Sequence, residues 1–215
     1  PDDEAQIKNN NLRASKDMTV KQIFKSRTFW QFSIAISLSQ ALFALNLLHI
    51  PALTSFNVPL TIAGFSIAII AAADVSSRLL VGFSSNKLNS KILMSIAFFM
   101  LAIGSLSLCL IDVPVMGIKL NTYLLIFIFA ICWGGGFGAS IPLRLSMLAD
   151  YFGRKNYGTA VGMTSTIGGI ASALSPIFGG LMYDIYENYR ISFVAGSILY
   201  FLSIPMILTI RPEKD

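Results

Sequence analysis

The sequence has 215 residues, of which 54% are hydrophobic and only 13% are charged, and its mean hydropathy is +0.68. A soluble globular domain carries about 25% charged residues, so this chain has too little polar surface to face water on all sides. Its apolar residues also come in blocks, which excludes a disordered chain as well as a soluble one. The composition therefore predicts an integral membrane protein.

The residue types that build disulfide frameworks and metal sites are scarce. Cys109 and Cys132 both lie in apolar runs, and His49 is the only histidine. We therefore expect no disulfide framework, no metal and no cofactor. The chain begins with Pro1, and its first 17 residues are polar without the pattern of a signal peptide. We expect this sequence to be the middle of a longer protein.

Six apolar segments follow one another, each near the ~20 residues that a helix needs to cross a hydrocarbon core of ~30 Å. We expect helices, because open strands cannot satisfy their backbone hydrogen bonds in lipid. The predicted spans, numbered I to VI, are Trp30–Leu53, Thr61–Phe83, Ile92–Ile111, Thr122–Leu143, Thr159–Met182 and Ile191–Ile210. Residues 1–29 are predicted to be a cytoplasmic linker, residues 30–210 the helical bundle and residues 211–215 a cytoplasmic tail.

The basic residues predict the orientation of the bundle. If the linker is cytoplasmic, twelve lysines and arginines lie on the inside, and only Lys119 and Arg190 lie on the outside. This positive-inside bias predicts that both termini are cytoplasmic. We expect a multi-pass protein of the plasma membrane. The bias also accounts for the pI of about 9.3, so no nucleic-acid partner is expected.

The six spans differ in kind. Spans III and VI contain no charged residue, so we expect them to be outer helices that face lipid. Span V carries a stripe of small residues at four-residue spacing, which lets another helix backbone approach closely. The stripe consists of Ala160, Thr164, Gly168, Ser172, Pro176 and Gly180. Two triplets of helices, each ending in an outer helix, fit the three-plus-three inverted repeats of one large transporter class.

Span II contains two charged residues, Asp74 and Arg78, that share one helical face because they are four positions apart. A charge near the middle of a bilayer costs ~2.5–3.5 kcal/mol or more, so it needs a partner or a water-filled cavity. One interpretation is that Arg78 binds the carboxylate of a substrate while Asp74 balances its charge or takes a proton. The other interpretation is an ion pair that locks helices together without touching a substrate.

Arg144 lies at the predicted cytoplasmic end of span IV. Its long side chain could reach the membrane interface and pair with Asp150, or it could belong to a cytoplasmic gate. Asn46 and His49 lie towards the outer end of span I. His49 is either a hydrated interfacial residue or, with an ordinary pKa near 6.5, a group suited to proton coupling.

Two catalytic interpretations fail on the sequence itself. The run Gly134–Gly138 lacks the Gly-Lys-Ser/Thr ending and the preceding strand of a phosphate-binding loop, so we expect it to serve close helix packing or a hinge. Ser140 and His49 cannot form a serine dyad, because they lie near opposite ends of their helices and a nucleophile and its base must be ~3 Å apart. The sequence therefore does not predict an enzyme.

Four stretches of the sequence, in this order, carry a family resemblance. They are Ile23–Trp30, the run Asp74–Gly82 followed by Asn86 and Lys87, the run Ala149–Lys155 followed by Gly158–Gly162, and Gly180–Tyr189. With them the chain resembles the major facilitator superfamily, specifically the C-terminal six helices of its monocarboxylate-transporter-like branch. The resemblance spans nearly the whole chain.

This resemblance implies that the six spans are helices seven to twelve of a twelve-helix transporter whose N-terminal six-helix half is absent here. It also implies that Arg78 binds the substrate carboxylate and that Asp74 is the neighbouring proton-linked acid. Asn46 is a further candidate for substrate binding, and His49 for proton coupling. The candidates for gate or structural roles are Arg144, Asp150, Asn86, Lys87 and Asp184. Span V lacks the lysine of the oxalate/formate exchangers, which speaks against a dicarboxylate.

The function predicted from the sequence is secondary active transport by alternating access, in which the protein moves a small organic anion, a monocarboxylate, together with a proton. Its partners would be this substrate, the lipid bilayer and the N-terminal half. The alternative is a self-contained six-span membrane protein with a channel-like or regulatory role.

Overall fold

The computed structural model describes residues 18–41, 48–84, 88–115, 118–153 and 155–210. In these ranges the regular secondary structure is helical apart from one short hairpin, which the sequence did not predict. The helices are α1 (Val20–Lys25), α2 (Arg27–Gln40), α3 (His49–Ser55), α4 (Leu60–Ser84), α5 (Ser90–Cys109), α6 (Thr122–Phe152), α7 (Tyr157–Ala173), α8 (Ser175–Tyr186) and α9 (Arg190–Leu208). Strands β1 (Pro114–Val115) and β2 (Ile118–Lys119) pair antiparallel.

Five helical stretches in the described ranges are long and apolar enough to cross a membrane. They are Leu60–Ser84, Ser90–Cys109, Thr122–Phe152, Tyr157–Tyr186 and Arg190–Leu208, and they confirm spans II to VI as helices. Span I corresponds to α2 and α3, which flank residues 42–47 outside the described ranges. The described ranges are thus those of a helical membrane protein.

Two predicted helix boundaries are wrong. Helix α6 continues nine residues past Leu143 and ends at Phe152, because side chains beyond the apolar block are still buried. Phe152, for example, is fully buried and packs edge-on against Phe29 with ring centroids 5.8 Å apart. Span V is interrupted at Leu174. Pro176 follows the interruption, and a proline has no backbone N–H to donate to the preceding turn.

The end of the predicted linker is a folded part of the bundle. Thr19 and Gln22 form a reciprocal capping box at the start of α1, and Ile23 is fully buried. The Asn156 side chain donates a hydrogen bond of 2.7 Å to the Met18 carbonyl, which ties this segment to the start of α7. Residues from 18 onwards therefore dock on the end of the bundle where α6 ends, which we call the Phe152 end. The opposite end, where α9 begins, is the Arg190 end.

The helices pack in a definite order of neighbours. Helix α4 packs on α6, α6 on α5, α5 on α9, α9 on α2, and α2 on α7. In terms of spans, the order is II, IV, III, VI, I, V. Side chains that are fully buried in this packing include Phe29, Phe32, Phe98, Phe129 and Tyr200.

Burial differs strongly between the spans. Only 11% of the apolar stretch of α4 is buried within the chain, and only 17% of the apolar stretch in Tyr157–Tyr186 is buried. The buried share is 56% for α5 and 39% for α9. Spans III and VI, which we expect to be outer helices that face lipid, are therefore not the least covered helices within this chain, and their exposure to lipid stays a prediction. Hydropathy cannot distinguish a surface that faces lipid from one that faces protein. The least covered helices are those of spans II and V.

Candidate functional site

Asp74 and Arg78 form an ion pair on α4. The Arg78 Nε donates to Asp74 Oδ1 at 2.8 Å and its Nη2 donates to Oδ2 at 2.9 Å. The arrangement is bidentate, with the planar guanidinium matching both carboxylate oxygens. The Arg78 and Asp74 side chains are 44% and 21% exposed. They share one helical face, as the spacing predicts, and the pair lies within a single helix.

The depth of this pair follows from the length of α4. Asp74 precedes the last residue, Ser84, by ten positions, which is ~15 Å at ~1.5 Å per residue. Arg78 precedes it by six positions, or ~9 Å. Two opposite charges therefore lie well inside an apolar helix, on a face that the rest of the chain leaves partly open.

The glycines of α6 form the wall behind Asp74. A Cβ atom at Gly138 would collide with the Asp74 carbonyl and carboxylate and with the Ser77 hydroxyl. A Cβ atom at Gly134, one turn earlier, would lie 2.5 Å from the Ile70 carbonyl oxygen. The absence of side chains at both positions lets α6 lie directly against α4. The glycine run therefore serves close helix packing, as predicted.

A second polar site lies on the other side of α6. A cavity of about 180 Å³ opens between α2, α5, α6 and α9; we call it the Arg144 cavity. Its polar lining residues are Ser39, Gln40, Ser140, Arg144 and Tyr200. Its apolar lining residues are Ile36, Met94, Phe98, Leu101, Phe137 and Ile141. Sequence reasoning missed this cavity, because its walls come from four separate helices.

The sequence predicted that Arg144 lies at the end of span IV, but the structure places it away from the end of the helix. It precedes Phe152 by eight residues, or ~12 Å along the helix. It lines the same cavity as Phe98 and Tyr200, which lie near the middle of α5 and α9. Arg144 is therefore well inside the bundle, because α6 continues past the predicted end.

The predicted contact between Arg144 and Asp150 does not form. Asp150 is exposed in the last turn of α6, six residues further along and about 240° round the helix. Within the described part of the chain, Arg144 has neither a salt bridge nor a hydrogen bond. Arg144, a half-buried residue, thus lines a cavity whose described lining residues include no carboxylate.

The small-residue stripe of span V packs as predicted over its first half. Ala160, Thr164 and Gly168 are buried, and the Thr164 hydroxyl lies 3.4 Å from that of Ser33 on α2. A Cβ atom at Gly168 would lie 2.7 Å from Oε1 of Gln40, so Gly168 leaves room for a polar side chain of the Arg144 cavity.

The second half of the stripe does not form a packed face. Beyond the interruption at Leu174, Pro176 is exposed and a Cβ at Gly180 would meet open space. Close approach of another helix to this half of the stripe therefore stays a prediction.

His49 is largely buried within the chain. It is only 9% exposed, and its ring lies 5.6 Å from that of Phe129. Phe129 begins a ladder of aromatic rings at four-residue spacing on α6, in which Trp133 stacks on Phe137 at 5.4 Å. Phe137 lines the Arg144 cavity, so the ladder extends from His49 to that cavity. The four-residue spacing of these rings was a signal in the sequence that could have identified the ladder.

The remaining candidates are dispersed. Asn46, Asn86 and Lys87 lie outside the described residues. Asp184 is exposed on α8 at the Arg190 end, beside Tyr189. Burial raises the pKa of Tyr189, and the neighbouring Tyr183 and Asp184 raise it further. Among the described residues, no group of three His, Cys, Asp or Glu side chains comes together as a metal site requires.

Apolar helices of membrane-spanning length, an ion pair inside one of them and a polar cavity between them are features of a membrane transport protein. A sequence profile of the Major Facilitator Superfamily matches residues 1–143 and 115–215. The chain belongs to this superfamily, and it is similar to monocarboxylate transporters, as the sequence motifs predict.

Three relatives illustrate the similarity. An uncharacterized MFS-type transporter of Bacillus subtilis, YcxA, is 28% identical over 149 residues, which are 69% of this chain and 35% of that protein. The human monocarboxylate transporter 14 is 26% identical over 203 residues, 88% of this chain and 36% of the relative. The rat monocarboxylate transporter 2 is 25% identical, over 64% of this chain and 27% of the relative. The chain thus spans about a third of the length of these relatives.

Proposed function

We propose that the chain is one six-helix half of a secondary active transporter that moves a small monocarboxylate with a proton by alternating access. The observation that carries this proposal is the ion pair of Asp74 and Arg78, which is partly exposed on a sparsely covered apolar helix. Charged side chains at such depth avoid lipid and face a protein interior or a water-filled cavity. The open face of α4 therefore requires a second bundle and water opposite it.

The geometry of the pair supports coupling between the anion and a proton. In the observed arrangement, two N–H groups of Arg78 are bonded to Asp74, and the pair has no net charge. Protonation of Asp74 would neutralise its carboxylate and free the Arg78 fork for the carboxylate of a substrate. One proton and one anion would then bind together without changing the net charge of the site.

The packing order of the spans supports a three-plus-three repeat. The spans pack in the order II, IV, III, VI, I, V. Exchanging I with IV, II with V and III with VI gives V, I, VI, III, IV, II, which is the original order read backwards. An inverted repeat has this property, because its two triplets occupy equivalent places. The two least covered spans, II and V, are equivalent under this exchange. They are the surfaces that we propose to face the N-terminal six-helix half.

The remaining assignments complete this proposal. Both termini would lie on the cytoplasmic side of the plasma membrane, with the Phe152 end inside. Asp150, Asn86 and Lys87 would contribute to contacts at the inner end, and Asp184 to contacts at the outer end. Asn46 and His49 would lie on the outer side of the substrate path. A self-contained six-span protein is the weaker interpretation, because it leaves the charged pair of α4 facing lipid.

Uptake by the full-length protein tests the proposed function. Vesicles that contain it should accumulate labelled small monocarboxylates when an inward proton gradient is imposed, and should not accumulate the matching amides. Cysteines at Asn89 and Asn156 should react with impermeant reagents from the cytoplasm, and a cysteine at Asn188 only from outside. Absence of acid-dependent uptake would refute the transport proposal, and labelling of Asn89 from outside would refute the orientation.

A further inference from the structure

The Arg144 cavity is a second polar site that the ion pair of span II does not explain. It lies on the opposite side of α6 from Asp74, since Gly138 faces Asp74 while Ser140 and Arg144 face the cavity. No aspartate or glutamate is among its described lining residues. In the described part of the chain, the Arg144 guanidinium has no counter-charge within salt-bridge distance.

An unpaired cation inside an apolar bundle is costly, and an anion in the same cavity offsets that cost. We propose that the Arg144 cavity binds the carboxylate group of a small organic anion, with Arg144 as the residue that pairs with it. This proposal rests on the proposed transport function and adds a second substrate position, distinct from Arg78, on the path of the anion.

The lining fits an acid with an apolar body. Gln40 and Tyr200 each contribute to the lining a side chain that can donate a hydrogen bond. Phe98 and Phe137 contribute aromatic rings to the lining, which suits a hydrocarbon or phenyl group. The volume of about 180 Å³ admits several water molecules or one small organic acid. A cavity whose described lining holds a cation and no carboxylate disfavours organic cations.

Arg144 and Ser140 are both partly exposed within this chain, and we expect a small thiol reagent to reach the cavity. Ser140 lies one turn before Arg144, and its hydroxyl donates to the Phe137 carbonyl at 2.8 Å. A cysteine at this position replaces one small polar side chain by another. Its thiol would report on occupancy of the cavity independently of transport.

The test uses the full-length protein with Ser140→Cys, in a background in which Cys109 and Cys132 are replaced by alanine. The rate of thiol labelling by a methanethiosulfonate reagent is measured by mass spectrometry with increasing benzoate. Benzamide, which has the same shape without the charge, is the matched control. Benzoate should slow the labelling and benzamide should not.

Arginine variants then identify the binding group. Arg144→Gln should raise the half-protecting benzoate concentration about tenfold or more, as expected when one partner of a desolvated charge pair is lost. Arg144→Lys, which keeps the charge, should retain part of the protection, while Arg78→Gln should leave it in place. Equal protection by benzamide, no protection by benzoate, or unchanged protection in Arg144→Gln would each overturn the proposal.

Failure of this proposal can be distinguished from failure of the proposed function. If acid uptake is present but benzoate does not protect the thiol introduced by Ser140→Cys, the transport proposal stands and the second site is refuted. If protection depends on Arg144 but acid uptake is absent, the cavity binds carboxylates and the transport proposal fails.

Discussion

The two arginines inside the apolar helices differ in their electrostatic environment. Arg78 is 44% exposed and is neutralised by a carboxylate one turn away on its own helix. Arg144 is half-buried in a cavity lined by four helices and has no ion pair within the described residues. The difference teaches that a charge in a membrane helix can be compensated locally or can depend on a ligand. Arg144, unlike Arg78, has no counter-charge among the described residues, and we propose that an anion supplies it.

The largest effect on uptake should come from disrupting the ion pair of Asp74 and Arg78. Arg78→Lys keeps the charge but replaces a planar fork by a point charge, so most uptake of the labelled monocarboxylate should be lost. Arg78→Gln should be worse, since it also leaves Asp74 unpaired.

The control for this prediction is the double variant Asp74→Asn with Arg78→Gln, assayed at matched expression. If the pair only stabilises the bundle, removing both charges should restore uptake. Near-normal uptake by the double variant would show that Arg78 is structural.

A smaller effect should come from the wall behind Asp74. Gly138→Ala places a methyl group against the backbone and carboxylate of Asp74, and backbone cannot move aside easily. We expect a loss of ~1–3 kcal/mol in the free energy of unfolding, as for overpacked cores. The matched control is Gly64→Ala on α4, where a Cβ meets nothing within 4 Å. Thermal unfolding in detergent measures both; equal stability of the two variants would contradict the packing described here.

The smallest effect should come from the corresponding substitution near the Arg144 cavity. Gly168→Ala places its methyl group 2.7 Å from Oε1 of Gln40, the far end of a flexible side chain that can move aside. We expect a stability change within about 1 kcal/mol, but weaker benzoate protection of a cysteine at Ser140, because the Gln40 amide shifts. Gly162→Ala, with open space around it, should change neither quantity. A stability loss at Gly168 as large as that at Gly138 would contradict this distinction between backbone and side-chain neighbours.

The sequence predicted features that depend on residues close together in the chain. Spans II to VI follow from blocks of hydropathy, and the pair of Asp74 and Arg78 follows from the four-residue repeat of a helix. The close contact of the glycine run with α4 also follows from local composition. These features need no knowledge of which helices are neighbours.

Features that depend on distant residues were missed or wrong. The Arg144 cavity joins Gln40, Phe98 and Tyr200 from three other helices, and no local pattern brings them together. His49 is buried because Phe129, from a distant part of the chain, packs against it. The predicted end of span IV failed for the same reason, since burial against Phe29 extends the helix to Phe152.

The measurement that tests the central claim most directly is proton-driven accumulation by the Asp74→Asn variant. Asparagine resembles the protonated aspartate, so it should leave the Arg78 fork available for the anion while removing the proton site. The account predicts that vesicles with this variant still exchange labelled for unlabelled monocarboxylate but no longer accumulate it under an inward proton gradient. Accumulation equal to that of the unmodified protein would contradict the proposed coupling of Asp74 to the anion.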